Sequence, residues 1–205
     1  MANLEPLIQS IPVAPLKLAS LEGCRTLADQ VNNYLVSFRH ESPTNVGQAD
    51  SLQGYCADSY LLECECPRFG SGEGKGVLKE SVRGCDLFIM VDVTNYSLTY
   101  RVNGYENHMS PDNHYQDLKR IISAADGKAR RINVIMPFLY EGRQHKRSKR
   151  ESLDCALMLQ ELVDMGVSNI LTFDAHDPRV SNSIPLHGFD SFMPTYQFLK
   201  ALVNS

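Results

Sequence analysis

The chain has 205 residues, enough for one domain with a complete hydrophobic core. Hydrophobic residues make up 43% and charged residues 21%, and the formal net charge is -4 with an isoelectric point near 5.9. This acidic balance argues against a nucleic-acid-binding protein, a class that is typically basic. No apolar run approaches the ~20 residues of a membrane-spanning helix, and the amino terminus lacks the pattern of a secretory signal. We therefore expect neither a nucleic-acid nor a membrane partner.

The cysteine pattern favours a cytoplasmic protein. Six cysteines are scattered along the chain, and Cys64, Cys66 and Cys85 lie in segments of strand-like composition. We interpret them as small buried thiols in a reducing compartment. A structural zinc site would need a second close-spaced pair beside Cys64 and Cys66, and the sequence has none.

The amino-terminal part of the chain is predicted to lead from an arm into a strand and a helix. Residues 1–15 contain three prolines and little periodicity, which is typical of an arm. Residues 16–19 can form a short strand, and apolar residues at helical spacing predict a helix over 25–38. Residues 39–60 are polar and rich in Ser, Asn, Gln and Gly, so we predict an insertion loop there.

The next segment is predicted to hold two strands on either side of a glycine-dense turn. Residues 60–64 are typical of a strand, and the continuous apolar residues of 86–91 predict a strand buried on both faces. The turn at 69–76 lacks the Gly-Lys-Ser/Thr ending of a P-loop and the spacing of a dinucleotide-binding turn, which leaves a hairpin or a mobile loop. Residues 93–111 are polar, and we predict an irregular segment.

The remaining segments alternate between helix and strand. Asp112 is a candidate N-cap for a helix, and a strand is predicted over 131–136. A helix over 151–165 is followed by a strand over 168–173. A loop then runs to about residue 188, and a last helix is predicted after Pro194.

This alternation predicts an α/β fold in which a largely parallel sheet carries helices on both faces. We expect residues 16–205 to form a single domain of this kind. In such sheets, ligands bind beyond the carboxyl ends of the strands. Two polar clusters fall at that edge.

The first cluster is the run from Arg143 to Arg150, in which five of eight side chains are cationic although the chain is negative overall. Such local positive charge indicates one anionic ligand, and guanidinium groups make forked hydrogen bonds to phosphate oxygens. The plain alternative is a solvated charged loop. The second cluster, Asp174-Ala175-His176 with Asp177, offers carboxylates and an imidazole to a magnesium ion. Together the clusters predict a metal–nucleotide site, without an identifiable catalytic residue.

Four motifs in order resemble the N-terminal half of the ribose-phosphate pyrophosphokinases, also called phosphoribosyl diphosphate synthetases. The family carries an Arg-Phe-Ser-Asp-Gly-Glu loop, a Glu-Ser-Val-Arg-Gly segment, a strand ending in Met-Pro-Tyr before a basic loop, and an Asp-Leu-His metal motif. The counterparts in this chain are Arg68-Phe69-Gly70-Ser71-Gly72-Glu73, Glu80-Ser81-Val82-Arg83-Gly84, Met136-Pro137-Phe138 with Arg143-Gln144 and Arg150-Glu151, and Asp174-Ala175-His176.

The resemblance implies a phosphoribosyltransferase-like, Rossmann-like fold and transfer of the β,γ-diphosphate of ATP to ribose 5-phosphate. It implies that Arg143 and Gln144 hold ATP and that His176 ligates Mg²⁺. It also implies a homo-oligomer, because a neighbouring subunit would supply the residues near the adenine, which correspond to Phe69, Ser71 and Glu73. The rest of the basic run would be a mobile lid or an effector contact, formed by Lys146, Arg147, Ser148, Lys149 and Arg150.

The departures from the family shape this expectation. His145 replaces an aspartate, and Ser71 replaces an acidic or amide residue. The acidic phosphoribosyl-binding loop of the family's C-terminal domain has no counterpart, so we expect that domain to be absent. The chain would then supply only the Mg-ATP side, would bind ribose 5-phosphate only with a C-terminal half, and would be inactive alone. Two alternatives stay open: a non-catalytic regulatory or assembly subunit of the synthetase, and a phosphate-sensing domain that shares only the fold.

Overall fold

The computed structural model describes residues 14–41 and 54–204. The predicted arm lies outside this range except for its last two residues. Most of the predicted insertion loop at 39–60 lies outside it as well.

The described residues form ten strands, four α-helices and two short 3-10 helices. In chain order the strands are β1 (Leu16–Ser20), β2 (Leu61–Leu62), β3 (Cys64–Glu65), β4 (Val77–Leu78), β5 (Asp86–Met90), β6 (Thr99–Val102), β7 (Tyr105–His108), β8 (Arg131–Ile135), β9 (Val167–Phe173) and β10 (Gly188–Phe192). The helices are α1 (Arg25–Glu41), α2 (Pro111–Ala124), α3 (Asp154–Asp164) and α4 (Thr195–Asn204), and the 3-10 helices span Glu22–Cys24 and Pro178–Ser183.

Six of these strands form one parallel sheet in the order β10-β9-β8-β5-β1-β2. On one face, Ala28 of α1 packs with Leu18 and Met90 in a small buried cluster. On the other face, α2 and α3 cover a larger core in which Leu118 and Leu159 are fully buried. The predicted α/β class, with a parallel sheet between helices, is confirmed.

The structure describes residues 39–41 and 54–60 of the predicted insertion loop, and both stretches contact the rest of the domain. Helix α1 continues to Glu41, three residues beyond its predicted end. The side chain of Arg39 stacks on the rings of Tyr55 and Tyr60, at 4.6 and 4.8 Å from their centroids. Tyr60 is completely buried, and its hydroxyl donates to the Tyr55 carbonyl at 2.6 Å. These contacts join residues that are far apart in the sequence. The polar composition of the segment, from which the loop was predicted, does not reveal them.

The segment at 93–111, predicted to be irregular, contains the hairpin of β6 and β7. Its two-residue turn is Asn103-Gly104, and both residues have positive φ angles, 49° and 85°. Asn-Gly is the favoured pair for such turns, because the twist of a turn with two positive φ angles matches that of the strands. The sequence therefore held a hairpin signal that its polar composition concealed.

The N-cap of α2 is Ser110 and not Asp112. The Ser110 hydroxyl accepts a hydrogen bond from the Asn113 amide at 3.3 Å, and Pro111 takes the first helical position. Asp112 instead accepts a hydrogen bond from the Tyr140 hydroxyl at 2.6 Å. It therefore anchors the segment after β8 to the start of α2.

Two other elements, a helix and a strand, differ from the prediction. Helix α3 begins at Asp154 and not at 151, and β10 was not predicted. The β10 segment, Gly-Phe-Asp-Ser-Phe, has no continuous apolar run because it lies at the edge of the sheet. The predicted last helix is present as α4, and all its described side chains are exposed. No helix in the described ranges is long and apolar enough to cross a bilayer.

Most of the cysteines are buried thiols, as predicted, although Cys66 is only half-buried and Cys56 is exposed. Burial raises the pKa of Cys64 to about 11 and the pKa of Cys66 to about 12. Both side chains therefore stay protonated at neutral pH, which makes them unreactive packing groups.

A ladder of polar side chains crosses the amino end of the sheet. Asp86 accepts hydrogen bonds from Arg131 at 2.9 Å and from the Asn133 amide at 2.7 Å. The Asn133 carbonyl oxygen accepts in turn from the Asn169 amide at 2.5 Å. Gly188 of β10 lies beside Asn169 in the sheet register and leaves room for that amide.

Replacing Gly188 with alanine should lower the free energy of unfolding by about 1–3 kcal/mol. The new methyl group would lie 3.0 Å from the Asn169 side-chain Cγ and would displace its amide, so the buried Asn133 oxygen would lose its donor. Urea denaturation measures the effect. Gly70→Ala is the control, since a methyl group there meets nothing within 4 Å. Equal unfolding midpoints for the two variants would show that the ladder contributes nothing.

Candidate functional site

The candidate site is a cavity at the carboxyl edge of the two neighbouring strands β8 and β9. The pairing continues past the end of β8, where the Phe173 amide donates to the Pro137 carbonyl at 3.3 Å. The cavity encloses about 320 Å³. Its lining comes from the segment after each strand: Phe138, Leu139, Gly142, Arg143, Phe173, Asp174, Ala175 and His176. The structure thus brings Arg143 and His176, which are 33 positions apart in the sequence, to one place.

Arg143 stands on a tight turn. The Gly142 amide donates to the Leu139 carbonyl at 3.0 Å, and the Gln144 amide donates to the Glu141 carbonyl at 2.8 Å. Glu141 has a positive φ of 55°, and a side chain at Gly142 would press against the Leu139 carbonyl. The backbone on both sides of Arg143 is therefore fixed, while its guanidinium remains exposed to solvent.

Gln144 faces away from this cavity and toward the start of α3. Its side-chain amide donates to the Ser152 carbonyl at 2.7 Å, and its backbone carbonyl accepts from the Cys155 amide at 3.3 Å. These bonds secure the first turn of α3. Gln144 is not among the cavity-lining residues. Because its side-chain nitrogen is bonded to Ser152, the predicted contact with a nucleotide would have to come from its side-chain oxygen.

The Asp174-Ala175-His176 turn rests on β10. The Asp174 amide donates to the Phe192 carbonyl at 3.0 Å, and the Ala175 amide donates to the Ser191 hydroxyl at 2.9 Å. Asp174 adopts a positive φ of 45°, which turns the chain sharply at the end of β9. The side chains of Asp174 and His176 are both exposed at the cavity.

Asp177 does not line the cavity and instead caps a helix. It caps the following 3-10 helix by accepting from the Arg179 amide at 3.0 Å, and it pairs with the Arg179 guanidinium at 2.6 Å. These hydrogen bonds hold the pKa of the Asp177 carboxyl well below its usual range. Asp177 therefore remains an anion whose charge Arg179 largely offsets.

The donors at the cavity could hold a magnesium ion that keeps most of its water ligands. Mg²⁺ keeps several waters and takes only one or two ligands from the protein, a number that His176 and Asp174 can supply. Among the described residues, no three His, Cys, Asp or Glu side chains converge closely enough to hold an ion on their own.

The predicted adenine-contact loop lies elsewhere in the chain. Its ends are joined by a hydrogen bond from the Phe69 amide to the Glu73 carbonyl at 2.7 Å, and the Ser71 hydroxyl donates to the Glu73 carboxylate at 2.8 Å. Arg68 fixes the base of the loop by a forked pair with Asp117 at 2.8 and 2.9 Å. The side chain of Phe69 is half exposed, and no residue of 69–73 lines the Arg143 cavity.

The later part of the basic run is exposed from Lys146 to Arg150. Within it, the amide and the hydroxyl of Ser148 donate to the Glu151 carboxylate at 3.2 and 3.1 Å. The sequence did not predict that His145 lies beside His176. Its ring lies edge-on to that of His176, with centroids 5.1 Å apart.

The parallel sheet, with a cavity at its carboxyl edge, defines an α/β domain of the class in which ligands bind beyond the ends of the strands. Residues 16–166 match the sequence profile of the family described as the N-terminal domain of ribose phosphate pyrophosphokinase. The match covers well over half of the chain, and the chain therefore belongs to this family.

Individual relatives agree with the family assignment. The chain is 29% identical over 167 residues to the ribose-phosphate pyrophosphokinase of Corynebacterium ammoniagenes, covering 80% of this chain and 41% of the relative. It is 30% identical over 122 residues to the enzyme of Bacillus caldolyticus, covering 58% of this chain and 34% of the relative. The chain thus spans less than half the length of these curated relatives.

A solved structure shares the fold. The phosphoribosylpyrophosphate synthetase from Mycobacterium smegmatis superposes with a TM-score of 0.67 at 22% identity, over 92% of this chain and 51% of that one. The predicted resemblance to this family is confirmed, and the profile match extends it beyond the fold alone.

Proposed function

We propose that this chain supplies the Mg-ATP side of a ribose-phosphate diphosphokinase site. The reaction would transfer the β,γ-diphosphate of ATP to the 1-hydroxyl of ribose 5-phosphate and release AMP. The observation that supports the proposal is the single cavity in which Arg143, Asp174 and His176 meet at the carboxyl edge of β8 and β9.

Positioning of charge is the physical basis of this role. The Arg143 guanidinium can form two parallel hydrogen bonds to phosphate oxygens, and the fixed turn beneath it limits the entropy lost on binding. His176 and Asp174 would hold the Mg²⁺ of the nucleotide, and bound magnesium would supply neutralisation of the phosphate oxygens. Diphosphate transfer of this kind requires no nucleophile from the protein, which agrees with a cavity lined by one guanidinium and by possible metal ligands.

The adenine would be bound by a neighbouring copy of the chain. Phe69 is half exposed and available for stacking on a base, and Ser71 and Glu73 lie beside it. The Arg68–Asp117 pair holds the base of the loop, and the loop does not line the cavity of its own chain, which favours a homo-oligomer in which the site is shared. The exposed run from Lys146 to Arg150 would serve as a lid or an effector contact, and the cytoplasm is the compartment we propose.

Calorimetric titration of the 205-residue chain with Mg-ATP tests the proposal. We expect binding in the micromolar to millimolar range and no synthesis of phosphoribosyl diphosphate by the chain alone, because no acceptor site is assigned to it. Adding a C-terminal half from a relative should restore ribose 5-phosphate binding. Absence of binding at several millimolar nucleotide, with and without that half, would reject the ATP site, and turnover by the chain alone would reject the division of roles.

A non-catalytic regulatory or assembly subunit is the second candidate. Two observations favour it. The Gln144 side-chain amide donates a hydrogen bond to the Ser152 carbonyl, and the Ser71 hydroxyl donates one to the Glu73 carboxylate. Both are positions at which the family pattern predicts nucleotide contacts. Mixing the chain with a full-length synthetase tests this role by size-exclusion chromatography and activity, and neither co-elution nor a change in rate would exclude it.

A further inference from the structure

Two histidine rings meet at the mouth of the candidate cavity. His145 comes from the basic run after β8, and His176 comes from the turn after β9. Their ring centroids lie 5.1 Å apart, and the planes are inclined by 61°. The proposed function uses His176 and gives no task to His145.

The separation of the rings matches that of two imidazoles bound to one metal ion. With each metal–nitrogen bond at ~2.1 Å and each centroid roughly 1.1 Å further out, the centroids would be about 4.5–5.2 Å apart for angles of about 90–110° at the metal. The observed 5.1 Å falls inside that interval. The two rings therefore already stand at the spacing of a shared ion.

Hydrogen bonding prepares His145 as a ligand. Its Nδ1 lies 3.1 Å from the Arg143 carbonyl oxygen, which can only accept, so the proton of the neutral ring is on Nδ1. In that tautomer the Nε2 lone pair, the usual metal-binding position of a histidine, faces the Asp177 carboxylate, a repulsive contact that a cation bound at Nε2 would relieve. The distance from Nε2 to Oδ2 of Asp177 is 3.5 Å. The His145 side chain is only 12% exposed, so its orientation is restricted.

We propose that His145 and His176 together clamp a divalent ion with high affinity for imidazole, such as Zn²⁺ or Co²⁺, at the edge of the cavity. Two nitrogen ligands favour these ions over Mg²⁺, which prefers oxygen. Phosphate oxygens and water would complete the coordination sphere, since the described side chains do not form a three-ligand cluster there. The nucleotide part of this inference rests on the proposed function, whereas the imidazole pair does not.

Titration of the full chain with Co²⁺ alone tests the pair without any nucleotide. We expect a visible cobalt spectrum without thiolate charge-transfer bands, and a Co²⁺ affinity reduced about 10–100-fold in His145→Ala. His145→Asp should lose Co²⁺ affinity similarly while keeping Mg-ATP binding, so that the preference for cobalt over magnesium falls. His187→Ala, an exposed histidine outside the cavity, is the matched control and should bind as the parent chain does. Thermal melts verify that each variant is folded.

The possible outcomes separate this inference from the proposed function. Equal Co²⁺ affinity in the parent, His145→Ala and His145→Asp chains would overturn the imidazole pair, even if Mg-ATP binds. An equal loss in His187→Ala would overturn it as well, because it would indicate scattered surface binding. Loss of Co²⁺ affinity in the two His145 variants but not in His187→Ala would support the pair, even in a chain that fails to bind ATP.

Discussion

Asp117→Ala should lower the free energy of unfolding by about 3–5 kcal/mol, because it removes the partner of a nearly buried arginine. Asp117 is held in a fork by Arg68 at 2.8 and 2.9 Å and by Arg120 at 2.5 Å. The side chains of Arg68 and Asp117 are only 10% and 6% exposed. Without the carboxylate, two guanidinium groups would face each other with little access to water. A loss of this size would lower the melting temperature by roughly 6–20 °C in a chain of this length.

The same substitution should loosen the Phe69–Glu73 loop, since Arg68 forms its base. Native-state hydrogen exchange should therefore accelerate at the amides of 69–73 before the rest of the domain opens. Glu65→Ala is the matched control: it removes a carboxylate from the exposed Lys79–Glu65 pair and should cost less than about 1 kcal/mol. A melting temperature for Asp117→Ala equal to that of Glu65→Ala would mean that the buried pair stabilises no more than a surface pair.

The central elements were predictable because their signals are local and periodic. β5 is a continuous apolar run between two other strands, and α3 repeats its apolar residues at helical spacing, so each is visible within a single segment. The prediction that Arg143 and His176 lie at one edge followed from the topology of parallel sheets. It required only that two strands be neighbours, which β8 and β9 are.

The support of the site was not predictable, because it comes from remote residues. The turn carrying His176 rests on Ser191 and Phe192 of an edge strand that lacks an apolar run. Likewise, the Gln144 amide is committed to the Ser152 carbonyl, and a motif gives no indication of which way such a side chain turns. The Asn103-Gly104 hairpin is different: its signal was present, but composition was given more weight than turn chemistry.

Arg143→Ala should weaken Mg-ATP binding by about 10–100-fold, the loss expected when charge-assisted hydrogen bonds worth about 1.5–3 kcal/mol are removed. Arg143 lines the same cavity as Asp174 and His176, and its backbone is fixed by two turn hydrogen bonds. Arg143→Lys keeps the positive charge but loses the planar fork, so its affinity should lie between those of the parent and the alanine variant. Calorimetry at physiological salt gives the three affinities.

Arg147→Ala separates the specific contact from the general field of the basic run. Arg147 carries the same charge a few residues away, but it is exposed and does not line the cavity. Its attraction for a nucleotide should be screened at 0.15 M salt, where the Debye length is about 8 Å, so its removal should change affinity less than about threefold. If Arg147→Ala and Arg143→Ala lose affinity equally, and both losses vanish at high salt, the run acts as a diffuse cationic patch. A loss that is confined to Arg143 and persists in salt would instead identify a guanidinium that grips phosphate from a fixed turn.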